Sequence, residues 1–407
     1  MKQIALFLLA LLMIAGLVAP AFAAEPLDIS EMDLEYYTRF KDDGISINVF
    51  NWGEYIADGR DDSANINAEF EALTGIKVNY SMFESNEALY AKLKGGSVSY
   101  DVIIPSDYMI SQLVAEDMLQ LIDYNNVPNM EHVDPQFMNM EFDPQNLYTA
   151  PYTWGTVVII YNTTMIDPAD DVETWDILWN EKYSGNILMF DNPRDAYGIA
   201  LKKAGHSLNP TDVKEIEEAT ELLKEQNKLV QTYVMDQIFD KMAAGEAAVG
   251  PYYAGDYLTM VEDNPDLAAV YPREGTNVFI DCMCIPTSAK QKEAAEMYIN
   301  FMLEPEVGAA NVDYIGYSTP NLASRELLGE EVTGDPITYP SVEVLGKAEF
   351  FLDLPQDVKL AMDSGWSTFR NDDESFNFWL VPVLVVVALG AIGFMAVRRS
   401  KGKKKEY

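Results

Sequence analysis

The chain has 407 residues, 48% of them hydrophobic, and its formal net charge is −37 at pH 7. This length permits two domains of ordinary size, each with its own hydrophobic core. An acidic surface repels the phosphate backbone and attracts small cations, so the charge excludes nucleic acid as a partner.

Both ends of the chain carry sequence signals for export or membrane insertion. An apolar run follows Lys2 and leads to an A-x-A site at residues 21–23, which predicts a cleaved signal peptide over residues 1–23. Residues 376–397 are 22 residues without a charge, long enough to span a bilayer. Basic residues follow in the tail, 398–407. The positive-inside rule therefore predicts a single-pass protein of the cell membrane, with an extracytoplasmic ectodomain and a cytoplasmic tail.

Between these ends, short apolar strands alternate with helical patterns. Residues 45–50 alternate β-branched and polar side chains, which predicts a strand that ends in the sequence NWGEY at residues 51–55. Further strands are predicted at residues 76–83 and 100–105, and helices at residues 64–73, 87–94 and 110–119. Alternation of this kind favours a parallel sheet, in which ligands bind beyond the carboxyl ends of the strands.

The second half of the chain continues the pattern. Strands are predicted at residues 150–161, 187–190 and 279–285, and helices at residues 175–183, 212–226, 234–244, 288–303, 345–354 and 358–369. We place the first crossing between domains at residues 150–161. Cys282 and Cys284 are interpreted as buried thiols, and two cysteines are too few for a zinc site, so we expect neither a metal site nor a cofactor.

Five predicted strand ends have a similar composition, and most of them place an aromatic residue close to a carboxylate. They are Trp52/Glu54/Tyr55, Ser106/Tyr108, Asn192/Asp195, Tyr253/Asp256 and Phe279/Asp281. Carboxylates bind ammonium groups through charge-assisted hydrogen bonds. Aromatic faces contact methylene groups and add a cation–π attraction of about 0.5–2 kcal/mol. The pattern fits a flexible cation with an amine at each end, although composition alone leaves open whether the segments converge.

Residues 45–369 resemble the spermidine/putrescine-binding proteins of bacterial ABC transporters. The matching stretches are NWGEY at residues 51–55, FESNEA at 83–88, YAKLK at 90–94, IPSDY at 104–108, INF at 299–301 and IGYSTPN at 315–321. The resemblance implies a two-lobed α/β periplasmic-binding-protein fold of type II, in which each lobe is a sheet flanked by helices. It implies one lobe from residues 44–154 and 279–325, and a second lobe from residues 155–278 and 326–370.

The resemblance also implies a function and a ligand-binding set. The protein is expected to be a monomeric receptor without enzymatic activity, which delivers putrescine or spermidine to permease and ATPase subunits. Anchoring by a C-terminal helix is predicted from residues 376–397 and is not typical of the family. The implied ligand-binding residues are Trp52, Glu54, Tyr55, Ser106, Tyr108, Asn192, Asp195, Tyr253, Asp256, Phe279, Asp281 and Tyr317. Tyr253 and Phe279 are similar to putrescine-type members and Tyr108 to spermidine-type members, so the choice of amine stays open.

Two other classes of function are compatible with parts of the sequence. Acidic and aromatic residues also suit an extracellular glycoside hydrolase with paired carboxylates, or a receptor for another cationic solute or a sugar. No Asp/Glu pair lies in a recognisable acid/base motif, which argues against the hydrolase. The sequence DGRDD at residues 58–62 suggests a calcium-dependent adhesin, but it lacks the glutamate that an EF-hand loop has at its twelfth position.

Overall fold

The computed structural model describes residues 27–372 of the chain. The predicted signal peptide (residues 1–23), the predicted membrane helix (residues 376–397) and the basic tail (residues 398–407) lie outside the described residues. None of the helices found in residues 27–372 combines the length and the apolar character needed to cross a membrane.

The first part of the described chain alternates strands with helices, as the sequence predicts. Its strands are β1 (Ser46–Trp52), β2 (Lys77–Phe83) and β3 (Val102–Ile103). Its helices are α1 (Leu34–Thr38), α2 (Ile66–Thr74), α3 (Asn86–Gly95) and α4 (Asp107–Ala115). Strand β1 pairs in parallel with both β2 and β3. Helix α4 begins three residues before its predicted start, so Asp107 lies in its first turn.

Side-chain caps and glycines set the ends of these helices. The side-chain oxygen of Asn65 accepts a hydrogen bond from the Ala68 N–H at 2.9 Å and begins α2. Gly75 ends α2 with a φ of +73°, and Gly96 ends α3 with a φ of +60°. A left-handed backbone conformation is low in energy mainly for glycine, so each helix ends where the sequence places a glycine.

The second part of the chain supplies six strands and ten helices to the described structure. The strands are β4 (Thr149–Asn162), β5 (Ile187–Phe190), β6 (Val230–Val234), β7 (Val249–Tyr253), β8 (Leu267–Val270) and β9 (Val278–Cys284). The helices are α5 (Pro193–Ala204), α6 (Val213–Asn227), α7 (Gln237–Ala243), α8 (Ala254–Asp263), α9 (Lys292–Met302), α10 (Pro305–Ile315), α11 (Leu322–Leu327), α12 (Glu330–Thr333), α13 (Val342–Leu345) and α14 (Gln356–Asp372).

Strand β4 is long enough to take part in both halves of the sheet. Its residues 149–156 pair in antiparallel fashion with β9, and its residues 157–162 pair with β7 and β8. The strand order is β2-β1-β3-β9-β4-β7-β5-β6, with β8 also beside β4. Parallel strands therefore lie on both sides of the antiparallel strands. The pairs β1–β2 and β1–β3 lie on one side, and the pairs β5–β6 and β5–β7 lie on the other.

Some elements differ from the sequence interpretation, which contains no α1, α5, β6, α8, β8, α10, α11 or α12. Residues 175–183 form two 3₁₀ segments instead of one helix. The helix predicted at residues 345–354 is wrong, because α13 ends at Leu345. Beyond it the chain is held by β9, since the Val278 N–H donates a hydrogen bond to the Glu349 carbonyl at 3.0 Å.

Buried hydrophobic residues form two separate clusters. The first core takes its residues from the segments 32–154 and 278–317. The second core takes its residues from the segments 157–267 and 354–369. The chain thus passes between the cores three times: within β4, before β9, and between Tyr317 and Leu354.

Candidate ligand-binding cleft

A cleft lies between the two cores, at the ends of strands β1, β2, β3, β5, β6 and β7. β1 ends at Trp52 and β7 at Tyr253, while Ser106 follows β3 and Asn192 follows β5. All four residues line the cleft. This placement agrees with the rule that ligand sites of open α/β sheets lie beyond the carboxyl ends of the strands.

The lining of the cleft is acidic and aromatic. The space between its atoms is about 650 Å³, including the part that opens to solvent. Its carboxylates are Glu84, Asp107, Asp195, Asp236, Asp256 and Asp281. Its aromatic residues are Trp52, Tyr55, Phe83, Tyr108, Tyr252, Tyr253, Phe279, Tyr317 and Phe351. Among the described residues that line the cleft there is no Lys, Arg or His.

Asp236 accepts a long hydrogen bond from the Tyr252 hydroxyl, at 3.4 Å. Three other carboxylates of the lining accept shorter hydrogen bonds from tyrosine hydroxyls. The pairs are Tyr55 with Asp281 (2.7 Å), Tyr253 with Asp195 (3.0 Å) and Tyr317 with Asp256 (2.9 Å). The Tyr55 hydroxyl also contacts the Thr153 hydroxyl. These bonds hold each carboxylate in one orientation at the wall of the cleft.

Burial raises the pKa of these three carboxyl groups, because a low-dielectric surrounding disfavours their charged form. The pKa of Asp281 rises to about 6 and that of Asp195 to about 7. The pKa of Asp256 rises well above its ordinary value for the same reason, and the Tyr317 hydroxyl partly opposes the shift. A ligand that brings positive charge into the cleft would stabilise all three carboxylates.

The same local unit positions three of the carboxylates. Asp107, Asp195 and Asp256 each lie in the first turn of a helix that follows a strand, namely α4 after β3, α5 after β5 and α8 after β7. The N-terminus of a helix carries a partial positive charge, which favours a carboxylate there. Strand, turn and helix together therefore aim acidic side chains at the cleft.

The aromatic side chains are fixed by contacts with one another and with the backbone. The Trp52 ring lies 4.5 Å from the Phe83 ring, and its Nε1–H donates a hydrogen bond to the Ile104 carbonyl at 2.9 Å. The Phe279 ring lies 5.4 Å from that of Tyr253 and 6.2 Å from that of Tyr317. Because these rings are already ordered, they offer apolar surface to a ligand with little loss of side-chain conformational entropy on binding.

The structure brings eleven of the twelve sequence-predicted residues to the cleft. Glu54 is placed elsewhere: its Oε2 forms a 2.6 Å ion pair with Arg60 Nη2, in a groove beside the cleft. Asn192 lines the cleft, but its side-chain oxygen accepts the Arg194 N–H at 3.0 Å and so caps helix α5. Tyr108 donates its hydroxyl hydrogen to Glu87 Oε1 at 2.9 Å.

Sequence reasoning missed several residues of the lining. They are Gly53, Phe83, Glu84, Asn86, Asp107, Met235, Asp236, Tyr252, Asn277 and Phe351. The strand-end rule could have found Phe83, Glu84 and Asn86, which lie at the end of β2 and just after it. It could also have found Asp236, two residues beyond β6, had that strand been predicted. Within residues 27–372, no group of three or more His, Cys, Asp or Glu side chains is arranged to hold a metal ion.

Comparison with known proteins places the chain in a family. Residues 65–340 match the family of bacterial extracellular solute-binding proteins. The chain is 38% identical to the spermidine/putrescine-binding periplasmic protein of Escherichia coli over 314 residues, which cover 77% of this chain and 88% of the relative. The chain belongs to the bacterial extracellular solute-binding protein family.

Other members of the family show the same likeness. This solute-binding protein is 29% identical to the putrescine-binding periplasmic protein PotF of E. coli over 365 residues, covering 85% of this chain and 94% of the relative. Its fold matches the substrate-binding protein PotD of the spermidine/putrescine ABC transporter of Streptococcus pneumoniae with a TM-score of 0.67 and 37% identity, covering 80% of this chain and 98% of the other. The α/β periplasmic-binding-protein fold and the family resemblance inferred from the sequence are confirmed.

The relatives correct the predicted localisation. The sequence predicts a single-pass protein of the cell membrane, whereas the E. coli relatives are named periplasmic binding proteins. That prediction is wrong. The stretch on which it rests, residues 376–397, lies outside the described residues.

Proposed function

We propose that this solute-binding protein captures a polyamine, either putrescine or spermidine or both, in the cleft and delivers it to an ABC transporter. The observation that carries the proposal is the composition of the lining. Six carboxylates border the cleft, and none of the described lining residues is a Lys, Arg or His that could neutralise them. A solute with several positive charges is the natural complement of such a site.

The geometry also suits the carbon chain of a polyamine. The paired carboxylates lie on both sides of the cleft: Asp281 belongs to a strand of the first core, and Asp195 and Asp256 to helices of the second. Fixed aromatic rings lie between them, with Phe279 beside Tyr253 and Tyr317. Carboxylates would hold the ammonium groups, while the rings would contact the methylene groups between them.

The names of the relatives support this choice of solute. The E. coli relative with 38% identity is called a spermidine/putrescine-binding protein, and a second E. coli relative is called a putrescine-binding protein. Both are binding proteins by name, which does not favour the alternative of a glycoside hydrolase. We propose that the protein acts without catalysis, as a monomer, with a permease and an ATPase as its partners.

We further propose that the two cores are those of two lobes, with residues 44–154 and 279–325 in one and residues 155–278 and 326–370 in the other. The separation of the buried hydrophobic residues into two clusters supports these bounds. Ligand contacts from both lobes would favour the closed arrangement, because only that arrangement satisfies them all. The eleven predicted residues that line the cleft form the proposed ligand-binding set, and Glu54 is left out because Arg60 holds it.

Thermal unfolding with a matched set of solutes tests the proposed function. A ligand that binds only the folded protein raises its unfolding temperature. We expect putrescine, cadaverine, spermidine or spermine to raise it, and 1-butylamine, which has the same carbon chain as putrescine but one amine, to raise it far less. Equal shifts with butylamine and the polyamines, or a larger shift with a neutral sugar, would contradict the proposal.

A further inference from the structure

Asp107 is a buried carboxylate in the cleft for which the sequence comparison supplies no role. Its residue is 1% exposed. It lies in the first turn of α4 and borders the cleft. Its Oδ1 accepts the Tyr108 N–H at 2.7 Å, whereas its Oδ2 has no hydrogen-bond partner among the described residues. A buried carboxylate oxygen without a partner is unfavourable and needs a physical explanation.

Asp281 has the same feature and is a neighbour of Asp107. It is 3% exposed, and its Oδ2 accepts the Tyr55 hydroxyl, but its Oδ1 has no partner among the described residues. Asp281 pairs with Ser106 through a β-bridge, so the residue next to its bridge partner is Asp107. Asp107 therefore lies one residue beyond the bridge partner of Asp281, close enough for the two charges to interact. Both buried carboxylates have one unsatisfied oxygen and border the same cleft.

Two donors of the protein lie close by without satisfying these oxygens. The Ile280 N–H partly opposes the rise in the pKa of Asp107, and the Ser106 hydroxyl that of Asp281, but neither forms a hydrogen bond with Asp107 Oδ2 or Asp281 Oδ1.

Arg194 is the buried cation whose charge acts on Asp107. Its Nη1 donates to the Leu208 carbonyl at 2.8 Å, and its Nη2 donates to Asn209 Oδ1 at 2.9 Å. Its guanidinium group packs 4.1 Å from the centre of the Phe351 ring. Arg194 therefore attracts Asp107 without bonding to it, since its terminal nitrogens bond to Leu208, Asn209 and Leu352 and its Nε has no hydrogen-bond partner among the described residues.

We propose that Asp107 is a ligand-binding residue, and that Asp107 Oδ2 and Asp281 Oδ1 together bind one terminal ammonium group of the ligand. A primary ammonium group has three N–H donors, enough to satisfy both oxygens and one further acceptor. Its charge also removes the repulsion between the two carboxylates, which no single hydroxyl of a sugar can do. The inference rests on the proposed function, since it assigns one end of the polyamine to a place in the cleft.

The first test compares two single substitutions on the same helical segment. Asp107→Asn keeps the shape of the side chain and removes its charge. Asp117→Asn removes the same charge from an exposed position just beyond α4, where φ is +53° and asparagine is well tolerated. The probe is whichever of putrescine, cadaverine, spermidine and spermine the unaltered protein binds most tightly by calorimetry. We expect Kd to rise at least about tenfold for Asp107→Asn, the equivalent of about 1.4 kcal/mol, and to stay within about twofold for Asp117→Asn. A Kd within about twofold for Asp107→Asn would overturn the inference.

A double-mutant cycle tests whether both carboxylates bind the same group. If they share one ammonium group, the Asp107→Asn/Asp281→Asn protein should lose less affinity than the product of the two single losses. Losses that simply multiply would overturn the shared site. A purely structural role for Asp107 would not produce this coupling in ligand affinity.

Two controls show whether a loss of affinity comes from misfolding and which of the two hypotheses has failed. Circular dichroism checks that each variant is folded, and Asp107→Ser replaces Asp107→Asn if the amide prevents folding, with the same expected tenfold loss. The unaltered protein separates the two hypotheses. If it binds no polyamine, the proposed function fails and this inference fails with it. If it binds and Asp107→Asn binds equally well, only this inference fails.

Discussion

The Tyr317 hydroxyl donates a hydrogen bond to Asp256 Oδ2 at 2.9 Å, and the two residues belong to different halves of the protein. Tyr317 is part of the first core, whereas Asp256 lies on α8, whose Ala254 and Met260 are part of the second. This bond therefore links the two sides of the cleft. It also holds a buried carboxylate that a cationic ligand would otherwise have to order.

Removal of the Tyr317 hydroxyl should lower the stability of the protein. Tyr317→Phe leaves the buried Asp256 carboxyl without its donor, and an unsatisfied buried acceptor costs about 1–3 kcal/mol. Urea denaturation of the ligand-free protein measures the change. Tyr90→Phe is the control: its hydroxyl bonds to the exposed Glu116 at 2.8 Å, so a change below about 0.5 kcal/mol is expected. Equal losses of unfolding free energy in both variants would show that the Tyr317–Asp256 bond stabilises the protein no more than an exposed bond does.

A methyl group at Gly255 should disturb the same contact. A Cβ on Gly255 would lie 2.5 to 2.7 Å from three carbon atoms of the Tyr317 ring, and overpacking of this kind costs about 1–3 kcal/mol. We expect Gly255→Ala to displace the ring and to lower polyamine affinity about tenfold, or about 1.4 kcal/mol.

Gly95→Ala is the matched control for this substitution. Apart from its chain neighbours and the backbone of its own helix, nothing lies within 4 Å of the position that its Cβ would take, and the residue is the last of α3. Alanine should keep the affinity and stabilise the helix by up to about 1 kcal/mol. Calorimetry on both variants decides the matter, and an unaltered affinity in Gly255→Ala would contradict the expected packing.

Loss of charge should weaken ligand binding at Asp281 and have little effect at Glu54. Asp281→Asn removes a buried acceptor in the cleft, so binding should weaken by about 1.5–3 kcal/mol, the usual range for a hydrogen bond to a charged group. Glu54→Gln should change affinity by less than about 0.5 kcal/mol, because the exposed Glu54 is paired with Arg60 outside the cleft. Calorimetric titration of both variants with the same polyamine measures the difference. A larger loss for Glu54→Gln than for Asp281→Asn would reverse the assignment.

The raised pKa values of Asp281 (about 6) and Asp195 (about 7) predict that polyamine binding depends on pH. An ammonium group favours the ionised carboxylates, so affinity should increase from about pH 5 to pH 8, and protons should be released on binding near pH 6. Calorimetry in buffers of different ionisation enthalpy counts these protons. A pH-independent affinity with no proton release would show that the carboxyls do not contact the ligand.

The same shifts predict the stability of the ligand-free protein. Both folded-state pKa values lie above the ordinary value of 3.8, so the folded protein binds more protons than the unfolded chain between about pH 4 and pH 7. The contribution of these groups to the free energy of unfolding therefore falls as the pH rises through that window. Saturating polyamine should reduce this fall, since it stabilises the charged form.

Much of the cleft could be predicted because one rule governs it. The carboxyl ends of strands meet at one edge, so residues such as Trp52 and Tyr253 could be identified without knowing the fold. The direction in which a side chain points could not be predicted in the same way. Glu54 has a left-handed backbone, with a φ of +45°, and its carboxylate is held by Arg60, a contact that composition does not reveal. Asp107 is not among the predicted residues, because Ser106 and Tyr108 on either side of it are interpreted as the ligand-binding residues of that strand end.

The helices and strands that were predicted wrongly are those whose conformation depends on tertiary contacts. The apolar residues at 345–354 suggest a helix, but backbone hydrogen bonds from Val278 and to Thr276 hold Glu349 in an irregular segment. Residues 227–233 lie between two predicted helices and have no assignment, so strand β6, and with it the position of Asp236, is not predicted. Contacts between segments distant in the chain decide such cases, and periodicity within one segment does not contain them.

Titration calorimetry of the purified protein with putrescine, cadaverine, spermidine and spermine, at low and at high salt, tests the central claim most directly. The account predicts saturable one-to-one binding of at least one of these amines that persists at high salt, because buried charges are screened less than exposed ones. Weak binding that high salt abolishes would mean that the net charge of −37 attracts any cation, and would contradict a polyamine site in the cleft.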